Sequence, residues 1–413
     1  MGHYLRKIYA RPKFLFLTAA HRYNRAASGP LLLAALAAIY HRLVRMLFHR
    51  LVIKLGTSSL TDGTPRLSPP RLVELARQVA QLRSEGREVA IVSSGAVAAG
   101  RERLGFPQLP KAIPAKQMLS AVGQPRLMAL YEQIFGLYDL PIAQVLLTRA
   151  DLADRHRYLN SRNTFNALLA HGVIPIVNEN DTVVTDEIRV GDNDNLSALV
   201  ANLIDADLLV LLTDQSGLFT ADPRHDPTAQ LVTDVSSADI PDALWKAAGG
   251  SANGLGTGGM VTKLQAADLA RRSGTTVVIA SSHAPDVLLR LARGEAVGTR
   301  FHPVATSIES RKRYILAGGR APGGVQVDQG AARALKRGGS LLPVGVKGVD
   351  GDFEPGDTIR VFDPNRREIA RGITNYGSAD LTRIVGRKSD EIEDILGYHN
   401  GDEIVHRNDL VLI

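Results

Sequence analysis

The sequence predicts an α/β protein: a mainly parallel sheet sandwiched by helices, followed by a small, mostly β C-terminal domain. Three observations carry that expectation. Apolar runs of strand length alternate with amphipathic helical stretches, the pattern of a sheet covered on both faces. Polar residues stand at the strand ends, as in folds that bind ligands beyond the carboxyl ends of a parallel sheet. After about Pro303 the pattern changes to short β runs separated by Gly, Pro and Asp turns.

The elements follow in order. "LVIKL" (Leu51 to Leu55) is a short apolar run that meets a glycine and a turn rich in Thr and Ser, a buried strand feeding a loop. Ser68 and Pro69 open a helical pattern through Leu72, Leu75, Val79 and Leu82, which Gly86 stops. "EVAIVSSGAVAAG" repeats the design of strand, small-residue loop and helix. Next come a helix through Leu127 to Ile134, a strand "PIAQVLL", a helix near Asn163 to Ala170 and a strand "GVIPIVN". A helix from Leu196 to Leu203, the strand "DLLVLLTD", a helix from about Gly259 to Ser273 and the strand "TTVVIA" complete the larger domain.

At 413 residues the chain is long for one domain. The expected division is 46–303 for the sheet domain, 304–321 for a linker and 322–413 for the β domain and tail. There is no cysteine, which excludes disulfide frameworks, thiolate zinc sites and a cysteine nucleophile, and a cytoplasmic location fits. Residues 1–45 hold eight of the 49 Lys and Arg residues and none of the 42 Asp and Glu, so the +7 formal charge sits there and the remainder is near neutral. The apolar stretch Leu31 to Ile39 in this extension is too short to span a bilayer. A signal peptide, an organellar presequence and a misassigned upstream start all describe it. The last, with Met46 as the start, is the expectation.

Chemistry concentrates in the loops. Lys54, Ser93 and Ser94, Asn178 to Asp181, and Thr213 with Asp214 each stand at the carboxyl end of a strand, so one edge of the sheet gathers a lysine, hydroxyls, amides and carboxylates. A lone strand-end lysine often only reaches solvent. Here it precedes "GTSS", whose small residues leave backbone N–H groups open to an anion. "GLGTGGMVTK" (Gly254 to Lys263) matches the spacing G-x-G-x-x-G, but no buried strand precedes it, so the dinucleotide fingerprint fails. The physical content survives: glycines at a helix N-terminus admit phosphate, and Lys263 lies within the first turns. A plain structural turn is the alternative. Two lysines among amide-rich loops imply phosphoryl transfer by positioning and charge neutralisation. Such lysines need a carboxylate between them, and Asp194 in "GDNDNLSALV" is the candidate. Asp192 or Asn193 can cap that helix, but four amide and acid side chains exceed what a cap requires. "TADP" (Thr220 to Pro223) reads as a turn of little functional weight, and His156, His171, His225 and His283 lack metal-ligand spacing.

Taken in order, "VIKLGTSSL", "IVSSGAVAAG", "NENDTVV", "GDNDNLSA", "LLTDQSGLFTADP" and "GLGTGGMVTK" closely resemble the glutamate 5-kinase family of amino acid kinases, and the tail resembles a PUA domain. The resemblance implies the amino acid kinase fold and ATP-dependent phosphorylation of the γ-carboxylate of L-glutamate with Mg²⁺, the first step of proline biosynthesis. It implies that Lys54 and Lys263 stabilise the moving phosphoryl group, organised by Asp194. Ser94, Gly95, Ala96, Asn178, Asp181, Asp192 and Asn193 would hold glutamate. Lys54, Gly56, Thr213, Asp214 and the loop Thr257, Gly258, Gly259, Met260, Val261, Thr262 and Lys263 would hold ATP, with no dedicated metal ligand assigned. It further implies feedback inhibition by proline, a homo-oligomer (tetramer or dimer) and a working relationship with glutamate-5-semialdehyde dehydrogenase.

Two alternatives stand beside it: a relative acting on another acidic substrate, and an RNA-binding or RNA-modifying protein working through the PUA-like tail. Residues 322–413 carry 12 Lys or Arg against 15 Asp or Glu, so charge does not support RNA binding.

Overall fold

The computed structural model describes residues 48–110, 112–184, 193–249, 259–304, 306, 315 and 321–413. The extension 1–45 with Met46, the site candidates Asp192, Thr257 and Gly258, and most of the expected linker lie outside the described residues. From Phe48 to Ile413 the chain forms one compact unit.

Among the described residues, eight strands make the main sheet: β1 (Arg50–Leu55), β2 (Glu88–Ser93), β3 (Ile142–Leu147), β4 (Ile174–Glu179), β5 (Leu208–Thr213), β6 (Asp234–Val235), β7 (Thr276–Ser281) and β8 (Thr299–Phe301). Their order is β3-β4-β2-β1-β5-β7-β8-β6. All neighbours run parallel except β7 and β8. The expected α/β class is therefore the observed one. The sequence reading missed β6 and β8, because two or three residues are too few to show a period.

Strand alternation divides β1 between two cores. Leu51, Ile53 and Leu55 enter the core beneath the helices Pro69–Ser84 and Ile113–Gly136. Val52 faces the other way, into the core shared with the helices Asn193–Leu203 and Met260–Arg272. Lys54 has the parity of Val52. The position where a third apolar residue would complete that second face thus carries an ammonium group at the edge of the sheet.

The order of the strands also fixes where a ligand fits. From β1 the chain turns to β2 on one side, and from β5 it proceeds toward β7 on the other. Loops after adjacent β1 and β5 therefore part over a crevice, the usual ligand position in open α/β sheets.

Several helices depart from expectation. Ile113–Gly136 starts well before Leu127 and runs through Pro125, which removes one N–H without ending the helix. Arg155–Ala170 begins eight residues before Asn163, behind the Asp154 cap that accepts from the Arg157 N–H at 2.9 Å. Thr57–Thr61 is a short helix where a loop was expected. The helix Ala96–Arg103 lies so close to Ile113–Gly136 that a Cβ on Gly123 would stand 1.8 Å from the Ala96 carbonyl oxygen, and one on Gly100 would stand 1.9 Å from that of Leu119.

Residues beyond Gly323 form a second sheet of β9 (Gly323–Val327), β10 (Val346–Gly351), β11 (Thr358–Phe362), β12 (Glu368–Ile373) and β13 (Leu410–Leu412), ordered β10-β9-β11-β12-β13 over its own core. It meets the helix Arg155–Ala170 of the larger domain through a small apolar cluster of Leu159, Ile315, Ile373 and Val411. Beside it Arg162 donates to both carboxylate oxygens of Asp409, at 3.3 and 3.1 Å. Among the described residues no helix is long and apolar enough to cross a membrane.

Candidate active site

The centre of the site is one carboxylate between two ammonium groups. Asp194 lies in the first turn of Asn193–Leu203, where the helix N-terminus favours negative charge. Its Oδ1 is 2.6 Å from Lys54 Nζ and its Oδ2 is 3.3 Å from Lys263 Nζ. Thr262, the residue before Lys263, donates its hydroxyl to Oδ2 at 2.6 Å. Asp194 is 3% exposed and Lys54 is 4% exposed, so neither charge is stable there without the other. Burial works against the charge, but the Lys54 and Lys263 ammonium groups outweigh it and hold the Asp194 carboxyl below the usual carboxylate range. Gly56 stands close by: a Cβ there would lie 3.5 Å from Lys54 Nζ.

The helix begins three residues earlier than the apolar pattern predicts. Asn193, Asp194 and Asn195 are all helical and buried, and the side chains of Asn193 and Asp194 face the site and not solvent. Asn193 donates to Ser94 Oγ and Asn178 Oδ1 at 3.0 Å each and to the Ser93 carbonyl at 3.3 Å. Ser94 and Gly95 connect β2 to Ala96–Arg103, and Gly95 takes φ of 105°, a left-handed conformation that suits glycine. Ser94, Asn178 and Asn193 are thus brought into direct contact. Asp181 joins them indirectly: it accepts from Ser120 Oγ at 2.5 Å, on the same helix as Gln124, and Gln124 in turn accepts from Asn178 Nδ2 at 2.9 Å. Burial pushes the Asp181 carboxyl up, against the Ser120 hydrogen bond and the Lys116 charge.

On the other side of Lys263 opens a polar cleft of about 390 Å³ whose lining includes Thr213, Asp214, Gly259, Met260 and Lys263. Thr213 donates its hydroxyl to Asp214 at 3.0 Å. Gly259 precedes the helix Met260–Arg272 with φ of 76° and ψ of −128°, a conformation closed to other residues. Of the expected loop residues, Val261 packs into the core and Thr262 turns to Asp194, so their side chains do not line the cleft.

Several residues here were not anticipated. Ser58, Phe219 and Arg224 line the cleft, and the "TADP" turn, given little weight from sequence, supplies Ala221, Asp222 and Pro223 to its wall. Its signal was position, directly after β5 at the crevice. Gln117, Ser120 and Gln124 were also missed, although three polar residues at helical spacing in an otherwise apolar stretch were the available clue. Among the described residues no group of three or more His, Asp or Glu side chains gathers as a metal cage.

Comparison with known proteins agrees with this geometry. Residues 49–281 match the family model described as the amino acid kinase family, and residues 323–396 match the PUA domain. A glutamate 5-kinase of Shewanella amazonensis is 56% identical over 367 residues, which is 89% of this chain and 96% of that protein. A glutamate 5-kinase of Photobacterium profundum is 57% identical over 364 residues, 88% of this chain and 96% of that protein. One of Herpetosiphon aurantiacus is 55% identical over 368 residues, 89% and 99%. The chain belongs to the amino acid kinase family, among the glutamate 5-kinases, with a PUA domain at its C-terminal end.

Proposed function

We propose that the protein transfers the γ-phosphoryl group of ATP to the γ-carboxylate of L-glutamate, giving γ-glutamyl phosphate and ADP, the first step of proline biosynthesis. The observation that carries this reading is Asp194, which holds Lys54 and Lys263 between an amide-lined pocket and a polar cleft. Glutamate occupies the pocket of Ser94, Gly95, Ala96, Asn178, Asp181 and Asn193. ATP occupies the cleft of Thr213, Asp214, Gly259 and Met260, with the remaining loop residues contributing backbone.

A carboxylate is already a competent nucleophile, so the reaction needs no general base. The obstacle is repulsion between two anions. Lys54 approaches from the sheet and Lys263 from the helix, and together they neutralise the phosphoryl oxygens as the γ-carboxylate oxygen attacks in line. Asp194 keeps the two ammonium groups in place before substrate arrives, which is preorganisation and not proton transfer.

Mg²⁺ usually binds through one or two carboxylates together with substrate phosphates. That suits this cleft, where both Asp194 oxygens are taken by lysines and Asp222 is engaged by Arg224. Asp214 would hold the ion together with the phosphates, and the ion would supply further charge neutralisation.

The reading extends to a homo-oligomer, to proline as a feedback inhibitor and to a cytoplasmic setting where ATP is available. An acyl phosphate is labile, so a reductase that consumes it promptly, a glutamate-5-semialdehyde dehydrogenase, fits as the functional neighbour.

The test is ATP consumption with L-glutamate and Mg²⁺, the acyl phosphate being trapped as hydroxamate. Glutamate-dependent hydroxamate that falls by about 100-fold or more in Lys263→Ala is the expected result. A folded protein that binds ATP but yields no glutamate-dependent hydroxamate would refute the substrate, with aspartate and N-acetylglutamate next in line.

A further inference from the structure

The helix Ile113–Gly136 buries Leu119, Leu127, Ile134 and Phe135, yet it carries Gln117, Ser120 and Gln124 on one face, at the helical spacing i, i+3, i+7. All three serve the end of β4 or the stretch that follows it. Gln117 donates to the Val184 carbonyl at 3.1 Å, Ser120 donates to Asp181, and Gln124 accepts from Asn178.

The amide orientations in this network have a single consistent solution. The backbone N–H of Glu179 can only donate, and it reaches Asn178 Oδ1 at 2.9 Å. Asn178 Nδ2 must therefore face Gln124, which answers with Oε1 and turns its own Nε2 toward Gln144 Oε1 at 3.4 Å. The Ser93 carbonyl can only accept, and with Asn178 Oδ1 it claims Asn193 Nδ2. Asn193 Oδ1 is left pointing elsewhere, buried and, among the described residues, without a hydrogen-bond partner. Asn193 is 8% exposed, so this acceptor is costly to leave unmet. A substrate ammonium group is the donor it suits.

We propose that Gln124 is a positioning residue for the amino acid substrate: through Asn178 it aims the Asn193 carbonyl oxygen at the α-ammonium group, and so sets the preference for a free α-amino group. The proposal rests on the glutamate reading above. Gln124 itself touches no substrate in this scheme.

Steady-state kinetics of the full chain with L-glutamate and with glutarate, which lacks the amino group, tests it. The Gln124→Met variant is expected to raise the glutamate KM by about 10-fold with the ATP KM unchanged. The ratio of kcat/KM for glutamate over glutarate should fall by the same factor. Gln124→Glu, which keeps the acceptor for Asn178, should restore most of the ratio; Gln124→Leu reads the same ratio if the methionine variant is unstable. A ratio that persists when Gln124 is replaced, or KM values for glutamate and ATP that rise together, would overturn the positioning role alone. Wild-type protein that does not phosphorylate glutamate would overturn the functional reading and this proposal with it.

Discussion

Two carboxylates a short distance apart in sequence, Asp194 buried and Asp181 half-buried, are tuned in opposite directions. Asp194 is held below the usual range by two lysines against its burial, whereas burial pushes Asp181 up. For Asp194 the depressed value means stability that is present above the unfolded pKa and lost as pH falls through the folded one. For Asp181 the raised value means the folded state disfavours the charge, so acidification relieves a cost to the fold while removing a carboxylate that the proposed function assigns to glutamate binding. On lowering the pH from neutrality, the glutamate KM is therefore expected to rise above the range where ordinary aspartates titrate, with the ATP KM flat. Asp181→Asn should remove that pH-dependent part, and parallel movement of both KM values would count against the assignment. Lys54, Lys263 and Asp194 were legible in sequence because opposite charges at the ends of apolar elements along one sheet edge have few other uses. Ser120 and Gln124 were not, since a polar side chain on a helix reads first as a solvated face.

The tightest contact among the elements lies where Ala96–Arg103 crosses Ile113–Gly136. Gly123→Ala would drive a methyl group into the Ala96 carbonyl, 1.8 Å away, so the shorter helix must retreat and take the Ser94–Gly95 turn with it. The expected cost is about 1–3 kcal/mol, seen as a lower Tm. The glutamate KM should rise while the ATP KM is spared, because Thr213, Asp214 and Gly259 stand on other elements. Unchanged stability would mean the crossing relaxes freely. Most strands and helices of the larger domain were legible from the alternation of short continuous apolar runs with helical apolar periodicity. The start of Ile113–Gly136 was not, because an internal proline argues for a boundary that packing overrode. Nor was the true start of Asn193–Leu203, where polar residues turn inward to a site and imitate a loop.

At the scale of the molecule, the PUA domain is fastened to the kinase-domain helix Arg155–Ala170 by a pair that water barely reaches: the side chains of Arg162 and Asp409 are 13% and 4% exposed. Asp409→Asn leaves the guanidinium without its counter-charge, at a cost of about 3 kcal/mol. Calorimetry is expected to show the C-terminal domain melting earlier than in the wild type, and an unmoved transition would assign the attachment to the Leu159, Ile315, Ile373 and Val411 cluster instead. Composition announced this second domain, but a bond between residues 162 and 409 has no local signature to read. One further consequence follows from β1, whose odd-numbered side chains serve one core while Val52 and Lys54 serve the other face. Inserting or deleting a single residue ahead of Lys54 would exchange the two faces, sending the ammonium into hydrocarbon and an isoleucine or leucine toward Asp194. The Lys54–Asp194 pair and the packing of the two cores are therefore encoded in the same parity. Changes of chain length can accumulate in the loops around this sheet, but within its central strand an odd step breaks both at once.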